Sequence, residues 1–187
     1  MKIILASKSP RRRELLSEIC TDFDIITADA DETLPCGMHP SRGVEVLAIR
    51  KGAPIAEMHP DALVISSDTL VELDGEALGK PIDEKDAFDM ITRLSGRAHN
   101  VHTGVAVHYK GRVFSGVDST AVRFKKLESC EIDEYIATRE PMDKAGAYGI
   151  QGLGGKFVDG YDGNYDTVVG LSVSLLRKLM EAAYDEA

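Results

Sequence analysis

Three consecutive arginines, Arg11, Arg12 and Arg13, follow Ser9 and Pro10 in the segment "ASKSPRRREL". Serine is a preferred N-cap and proline is favoured at the first helical position, so a helix is expected to open there. The N-terminal end of a helix already carries about half a positive charge, and acidic side chains normally stabilise it. Either these guanidiniums are solvated decoration of a surface helix, or an anion supplies the missing negative charge. Ser7, Ser9, the free N–H groups of the first turn and the side chains of Arg11 and Arg12 make a donor-rich helix N-terminus, the kind of site where phosphate binds. The segment has neither the glycine pattern of a P-loop nor that of a dinucleotide-binding turn.

A second candidate is "SSDT", Ser66 to Thr69, which follows the apolar Leu63, Val64 and Ile65. The spacing predicts a strand whose end carries these four polar residues. In open α/β sheets ligands gather outside the carboxyl ends of strands, which would place Ser7 and Asp68 at one site. A carboxylate there can orient a water or hold Mg²⁺; the alternative is a simple turn former. Mg²⁺ commonly takes one or two carboxylates plus substrate phosphates, so Glu32 in "DADET" is the candidate second ligand, or else a surface acid. Lys51 and Lys80 are either solvated or phosphate partners, and Gly79 and Pro81 hold Lys80 in a defined loop. In "YGIQGLGG", Gln151 offers a donor and an acceptor suited to a base edge, unless the loop is simply surface ornament. His39, His59, His99, His102 and His108 show no metal-ligand spacing and define no Ser-His-Asp set.

The elements that must position these residues alternate. "KIILAS" reads as a short buried strand leading into a helix from about Pro10 to Cys20, and "DFDIITA" as a second strand. Ser41 is the expected cap of a helix that Gly52 and Pro54 should end or kink. "LVELDGEAL" holds an Asp-Gly turn between short strands, and "IDEKDAFDMITRLSG" is a helix capped by Asp83 and stopped at Gly96. Residues 99–124 alternate as two longer strands joined near Lys110-Gly111, and "EIDEYIATRE" is a helix. The glycine-rich "AGAYGIQGLGGKFVDGYDGNY" is expected to be largely loop and turn, before a closing helix over about Leu175 to Ala183. The mixture is α/β with some antiparallel pairing.

Bulk properties narrow the partners. The 187 residues are 43% hydrophobic, which suits one domain over 1–187. A net charge of −9 opposes a diffuse surface for gripping nucleic acid, so any positive site is local. Cys20, Cys36 and Cys130 lack C-x-x-C spacing, against both a disulfide framework and a zinc site, and a reducing cytoplasm is the expected compartment. The apolar run Ile3-Ile4-Leu5 is too brief for a signal-peptide core, and no stretch reaches the roughly 20 apolar residues of a membrane span, so no membrane partner is expected.

Five segments in order, "ASKSPRRRELL", "SSDTLVELDGEALGKP", "AFDMITRLSGRAHNVHTGVAV", "EPMDKAGAYGIQGLGGKFV" and "GNYDTVVGL", resemble the Maf family of nucleoside triphosphate pyrophosphatases over nearly the whole chain. "KAGAYGIQG" is similar to the branch acting on dTTP and UTP, with modified pyrimidine nucleotides as further candidate substrates. The resemblance implies a mixed, elongated, curved β-sheet flanked by helices, in two lobes with a central cleft, similar to the inosine triphosphate pyrophosphatases. It places a general base at Asp68, specificity positions at Arg11, Thr69 and Gln151, and phosphate or metal positions at Ser7, Arg12, Glu32, Lys51 and Lys80. It also implies a divalent cation, Mg²⁺ or Mn²⁺, with Asp68 as base or metal ligand, a nucleoside triphosphate as substrate, and a homodimer, a state common among relatives. The family's association with septum formation supplies an alternative, a nucleotide-sensing or partner-binding regulator of cell division. The chain departs from the usual family pattern at Lys8, often Gly, at Ser66-Ser67, often Gly-Ala, and at Ser172, often Pro.

Overall fold

β1 (Ile3–Leu5) pairs in parallel with β2 (Asp24–Ile25) on one side and with the start of β3 (Leu63–Leu73) on the other. In the computed structural model, which describes residues 1–186, the sheet has seven strands in the order β2-β1-β3-β5-β6-β7, with β4 (Glu76–Leu78) also on β3. β5 (Ala98–Tyr109), β6 (Arg112–Phe124) and β7 (Val158–Asp162) complete it in antiparallel fashion. Lys110 and Gly111, both at positive φ, form the two-residue turn between β5 and β6.

The pairing around β3 creates a gap. β5 takes one whole edge of β3, from Val64 to Glu72. On the other edge β1 ends opposite Ile65, and β4 covers β3 only from Val71 to Leu73. Residues 66–70 therefore lack a strand neighbour on that side, and an unpaired edge needs partners for its polar groups. The sequence led to the expectation of a strand ending near these residues, and the structure corrects it: β3 continues through them. The loss of hydrophobicity marks an edge without a strand partner, while β5 keeps the strand intact.

Both faces of the sheet are covered. α2 (Pro40–Met58) crosses β3 and β5 on one face, burying Val44, Leu47, Ala48 and Ile55. On the other face, α1 (Pro10–Ser17) and α6 (Val173–Asp185) close a cluster around Leu5, Ile65, Val105 and Leu176. α3 (Glu84–Leu94) and α4 (Ser129–Ala137) close a second cluster around Val71, Ile91, Val101, Phe124 and Tyr135. Among the described residues no helix is long and apolar enough to cross a membrane.

α2 corrects two further expectations. Its cap is His39, whose ring nitrogen accepts from the Ser41 N–H, rather than Ser41. It also runs on through Gly52 and Pro54, because the buried face packs too closely on the sheet to peel away. A Cβ on Gly52 would lie 2.5 Å from Nε2 of His108 and 2.6 Å from Oγ of Ser66, and a Cβ on Gly104 of β5 would lie 2.2 Å from the Val44 carbonyl oxygen. Gly104→Ala meets backbone rather than a movable side chain, so it is expected to cost about 1–3 kcal/mol or more, read as a lowered urea midpoint at unchanged m-value; an unchanged midpoint would show that α2 has slack here. The glycine-rich segment also exceeds its expectation, since it contains β7 and leads into α5 (Tyr165–Val169). β2 has two residues and α1 stops at Ser17 rather than near Cys20.

Candidate active site

The turn after β1 follows the sequence. Ser7 is buried and accepts the Ser9 N–H at 3.2 Å, and Ser9 caps α1 by accepting the Arg12 N–H at 3.5 Å, with Pro10 in the first turn. Arg12 then turns to the open edge of β3. Its Nη1 donates to the Ser67 carbonyl at 2.9 Å and to Ser7 Oγ at 3.5 Å, its Nη2 to Thr69 Oγ1 at 3.3 Å, and its Nε to the Gly170 carbonyl at 2.9 Å. The guanidinium thus supplies the donor that a neighbouring strand would have supplied. Burial pushes its pKa down and the negative charge of Asp68 opposes that shift; the group stays protonated, as arginine does in proteins. Gly170 sits at φ +126, a conformation that disfavours side chains, and so turns its carbonyl toward both Arg12 and the Ser67 hydroxyl. Arg11 forms no hydrogen bond or ion pair with the rest of the chain, among the described residues.

Strand alternation sends Asp68 to the opposite face from Ser67 and Thr69. There it meets α2: Lys51 contacts the Asp68 carboxylate directly and lies 3.1 Å from Glu32. Asp68 is only 7% exposed, so this pair is held, whereas Glu32 reaches in from an exposed loop. Ser66, on the same face, donates to the Ala48 carbonyl at 2.7 Å and fixes β3 to α2 beside Lys51.

A cleft of about 1910 Å³ wraps the open edge of β3. Ser7, Arg11, Arg12, Glu32, Lys51, Asp68, Thr69, Lys80 and Gln151, the nine residues singled out from the sequence, all line it. Lys80 lies on the far wall, where the Gly146 N–H donates to the Gly79 carbonyl at 3.0 Å and ties its loop to the segment leading to Gln151. Val71 and Val101 supply apolar lining. Sequence reasoning missed Glu140, Asp143, Lys144 and Tyr148, which also line the cleft. The local signal for Glu140, Asp143 and Lys144 is the charged, proline-containing "REPMDK" just before the glycine-rich loop, in which Tyr148 itself lies. Among the described residues no group of three or more His, Cys, Asp or Glu is arranged to hold a metal.

Tyr148 brings a pH-sensitive contact with it. Its hydroxyl lies 2.8 Å from Nε2 of buried His99, whose Nδ1 has no partner and whose ring stacks edge-on with Phe124. Burial lowers the His99 pKa from 6.5 to about 4. The folded chain keeps this ring neutral while the unfolded chain takes up a proton, so its contribution to stability is full above pH 6.5 and is lost as pH falls toward 4. The loss is of the order of 3 kcal/mol. Urea midpoints should fall across that window, and His99→Phe should flatten the fall; an equally steep fall in the variant would assign it to other groups.

A family model described as Maf-like protein matches residues 2–183. The chain belongs to the Maf family. A relative from Pelotomaculum thermopropionicum named dTTP/UTP pyrophosphatase is 48% identical over 182 residues, covering 96% of this chain and 95% of the relative. One from Clostridium botulinum with the same name is 47% identical over 187 residues, covering 98% of this chain and all of the relative, and one from Bacillus cereus is 45% identical over 185 residues, covering 98% and 97%. Among solved structures, the Staphylococcus aureus Ham1 protein aligns with a TM-score of 0.48 at 18% identity, covering 66% of this chain and 72% of that one. At the serines where the resemblance led to the expectation of other residues, the structure shows bonds of their own. Ser67 Oγ donates to the Gly170 carbonyl at 3.1 Å, Ser172 caps α6 and donates to Asp118 at 2.6 Å, and Lys8 is exposed at the cleft.

Proposed function

We propose that this chain hydrolyses dTTP and UTP to the nucleoside monophosphate and pyrophosphate. The observation that carries the reading is the open edge of β3, which sets the buried Asp68 carboxylate in the same cleft as the cationic N-terminus of α1; the names of the relatives supply the substrates. The triphosphate lies over the turn from Ser7 to Arg11, where free first-turn N–H groups and the uncommitted Arg11 side chain meet anionic oxygens. Lys51 and Lys80 approach from the other walls of the cleft. Water attacks the α-phosphorus, forming one P–O bond as the bond to the bridging α,β-oxygen breaks, and pyrophosphate leaves with that electron pair. Asp68 accepts the proton of the water, and Lys51 beside it holds the carboxylate in position until then. The leaving pyrophosphate is stabilised by the same cations as charge builds on it.

A divalent cation fits the donor set in one way. Glu32 and Asp68 are two carboxylates sharing one partner, Lys51, which suits Mg²⁺ or Mn²⁺ held by one or two carboxylates with phosphate oxygens completing the shell. Such an ion supplies charge neutralisation at the phosphates and lowers the pKa of bound water. Gln151 lines the same cleft, and on this reading its amide meets the edge of the pyrimidine.

Incubating the protein with UTP or dTTP and Mg²⁺ and identifying the released species tests the reading. Pyrophosphate over many turnovers is expected. Orthophosphate would make the chain a γ-phosphatase, and stoichiometric binding without release would make it a nucleotide-binding protein; either outcome overturns the proposal.

A further inference from the structure

Gln151 is exposed, and among the described residues no hydrogen bond of its own side chain fixes it to the protein. Its loop contains Gly149, Gly152, Gly154 and Gly155, a composition whose conformational entropy opposes any single shape. The loop nevertheless has a defined path, and the cause lies outside it. Glu140, in the short helical turn Glu140–Asp143 just after α4, extends its carboxylate into the loop. Oε2 accepts the Leu153 N–H at 3.0 Å, and Oε1 accepts the Gly154 N–H at 3.2 Å and the Tyr135 hydroxyl at 2.9 Å. Tyr135, fully buried in α4, accepts the Gly149 N–H on the same hydroxyl at 3.2 Å. Main-chain donors on both sides of Gln151 therefore converge on one Glu–Tyr pair.

The glycines make room for this pair. A Cβ on Gly152 would lie 2.3 Å from Oε1 of Glu140, and a Cβ on Gly154 would lie 2.6 Å from the Tyr135 oxygen. Burial works against the charge of Glu140, but the Leu153 and Gly154 N–H groups and the Tyr135 hydroxyl more than offset it and hold its pKa below the usual glutamate value. Bonds to a charged acceptor are about twice as strong as neutral ones, enough to order a glycine-rich loop.

We infer that Glu140, locked by Tyr135, is a positioning residue for base recognition: it shapes the 149–154 loop so that Gln151 meets the nucleobase, and it takes no part in holding the phosphates. This rests on the reading of Gln151 given above, but its test is one of binding and does not require turnover. Glu140→Gln keeps the volume while setting an amide N–H₂ against one of the main-chain N–H groups, and Tyr135→Phe removes one donor and one acceptor.

Calorimetry should compare the wild type with both variants, using a non-hydrolysable α,β-imido UTP analogue, its GTP counterpart and inorganic tripolyphosphate, each with Mg²⁺. For Glu140→Gln the Kd of the UTP analogue is expected to rise about tenfold and the preference over the GTP analogue to shrink equally, while the Kd of tripolyphosphate is unchanged. Tyr135→Phe should act in the same direction by about threefold. A general defect of the fold would weaken tripolyphosphate as well, and that result, or an unchanged UTP to GTP ratio, overturns the inference. Should Glu140→Gln fail to fold, an unchanged ratio in Tyr135→Phe overturns it alone. Absence of pyrophosphate release from UTP in the wild type would sink the proposed hydrolysis and leave this binding comparison to be decided by its own ratio.

Discussion

Asp68→Asn is expected to slow pyrophosphate release from UTP by about 10²–10⁴-fold while leaving the melting curve close to that of the wild type. The substitution preserves shape and one acceptor oxygen, and Asp68 holds no main-chain group in place. Its ion-pair partner Lys51 keeps Glu32 at 3.1 Å, and the buried Arg12 guanidinium, which loses the field of Asp68, keeps its carbonyl and hydroxyl acceptors. What disappears is a carboxylate able to take a proton or hold a cation. With Asp68 as the base, removing its charge from a site that binds a polyphosphate does not weaken ground-state binding, so the loss falls on kcat with KM unchanged or lower. With Asp68 as a ligand of the cation that meets the phosphates, KM rises as well, and the kcat and KM split separates the two roles. Turnover at the wild-type rate would remove Asp68 from the chemistry altogether.

The parts of this site that could be read from the sequence are those whose determinants are local. Ser9, Pro10 and the arginines announce a helix N-terminus within a few residues, and the cap bond is where those residue types place it. The β5–β6 hairpin is equally local, since Lys110-Gly111 sets its turn and alternation sets its strands. Asp68 was legible as a functional candidate but not in its setting. Polar residues after an apolar run suggest a strand end, and only the non-local pairing with β5 carries β3 past them. Pro54 misleads for a related reason, since its local cost is outweighed by the contact of Gly52 with Ser66 and His108 across the sheet. Tyr135 and Glu140 were invisible as a unit because their partners are main-chain N–H groups 13 to 14 residues further on, which no side-chain pattern records. β7 escaped for the same reason, its pairing with β6 lying within a segment whose composition signals turns.

The three arginines look interchangeable in the sequence, and the structure separates two of them into opposite expectations. Arg12→Lys should destabilise the chain by about 3 kcal/mol or more, because a lysine ammonium is a point donor and cannot serve the Ser67 and Gly170 carbonyls and Thr69 Oγ1 at once. Two buried carbonyls at the open edge of β3 would then compete for one group, and the turn carrying Ser7 would lose its tie to the strand carrying Asp68. Loss of activity in this variant should follow loss of structure, with urea midpoint and turnover falling together. Arg11→Lys and Arg11→Ala should both leave the midpoint close to where it is, since among the described residues the Arg11 side chain makes no hydrogen bond or ion pair and meets Asp143 through charge alone. Its effect should appear as a rise in KM for UTP of about 10- to 100-fold for the alanine, the equivalent of one charge-assisted bond to phosphate. The reverse outcome, a stable Arg12→Lys with impaired binding and an unstable Arg11→Ala, would mean that the guanidinium bridging the gap in β3 is available to substrate. The triphosphate would then have to displace the contacts that hold the two sides of the cleft together, and substrate binding would carry a structural cost that the present geometry avoids.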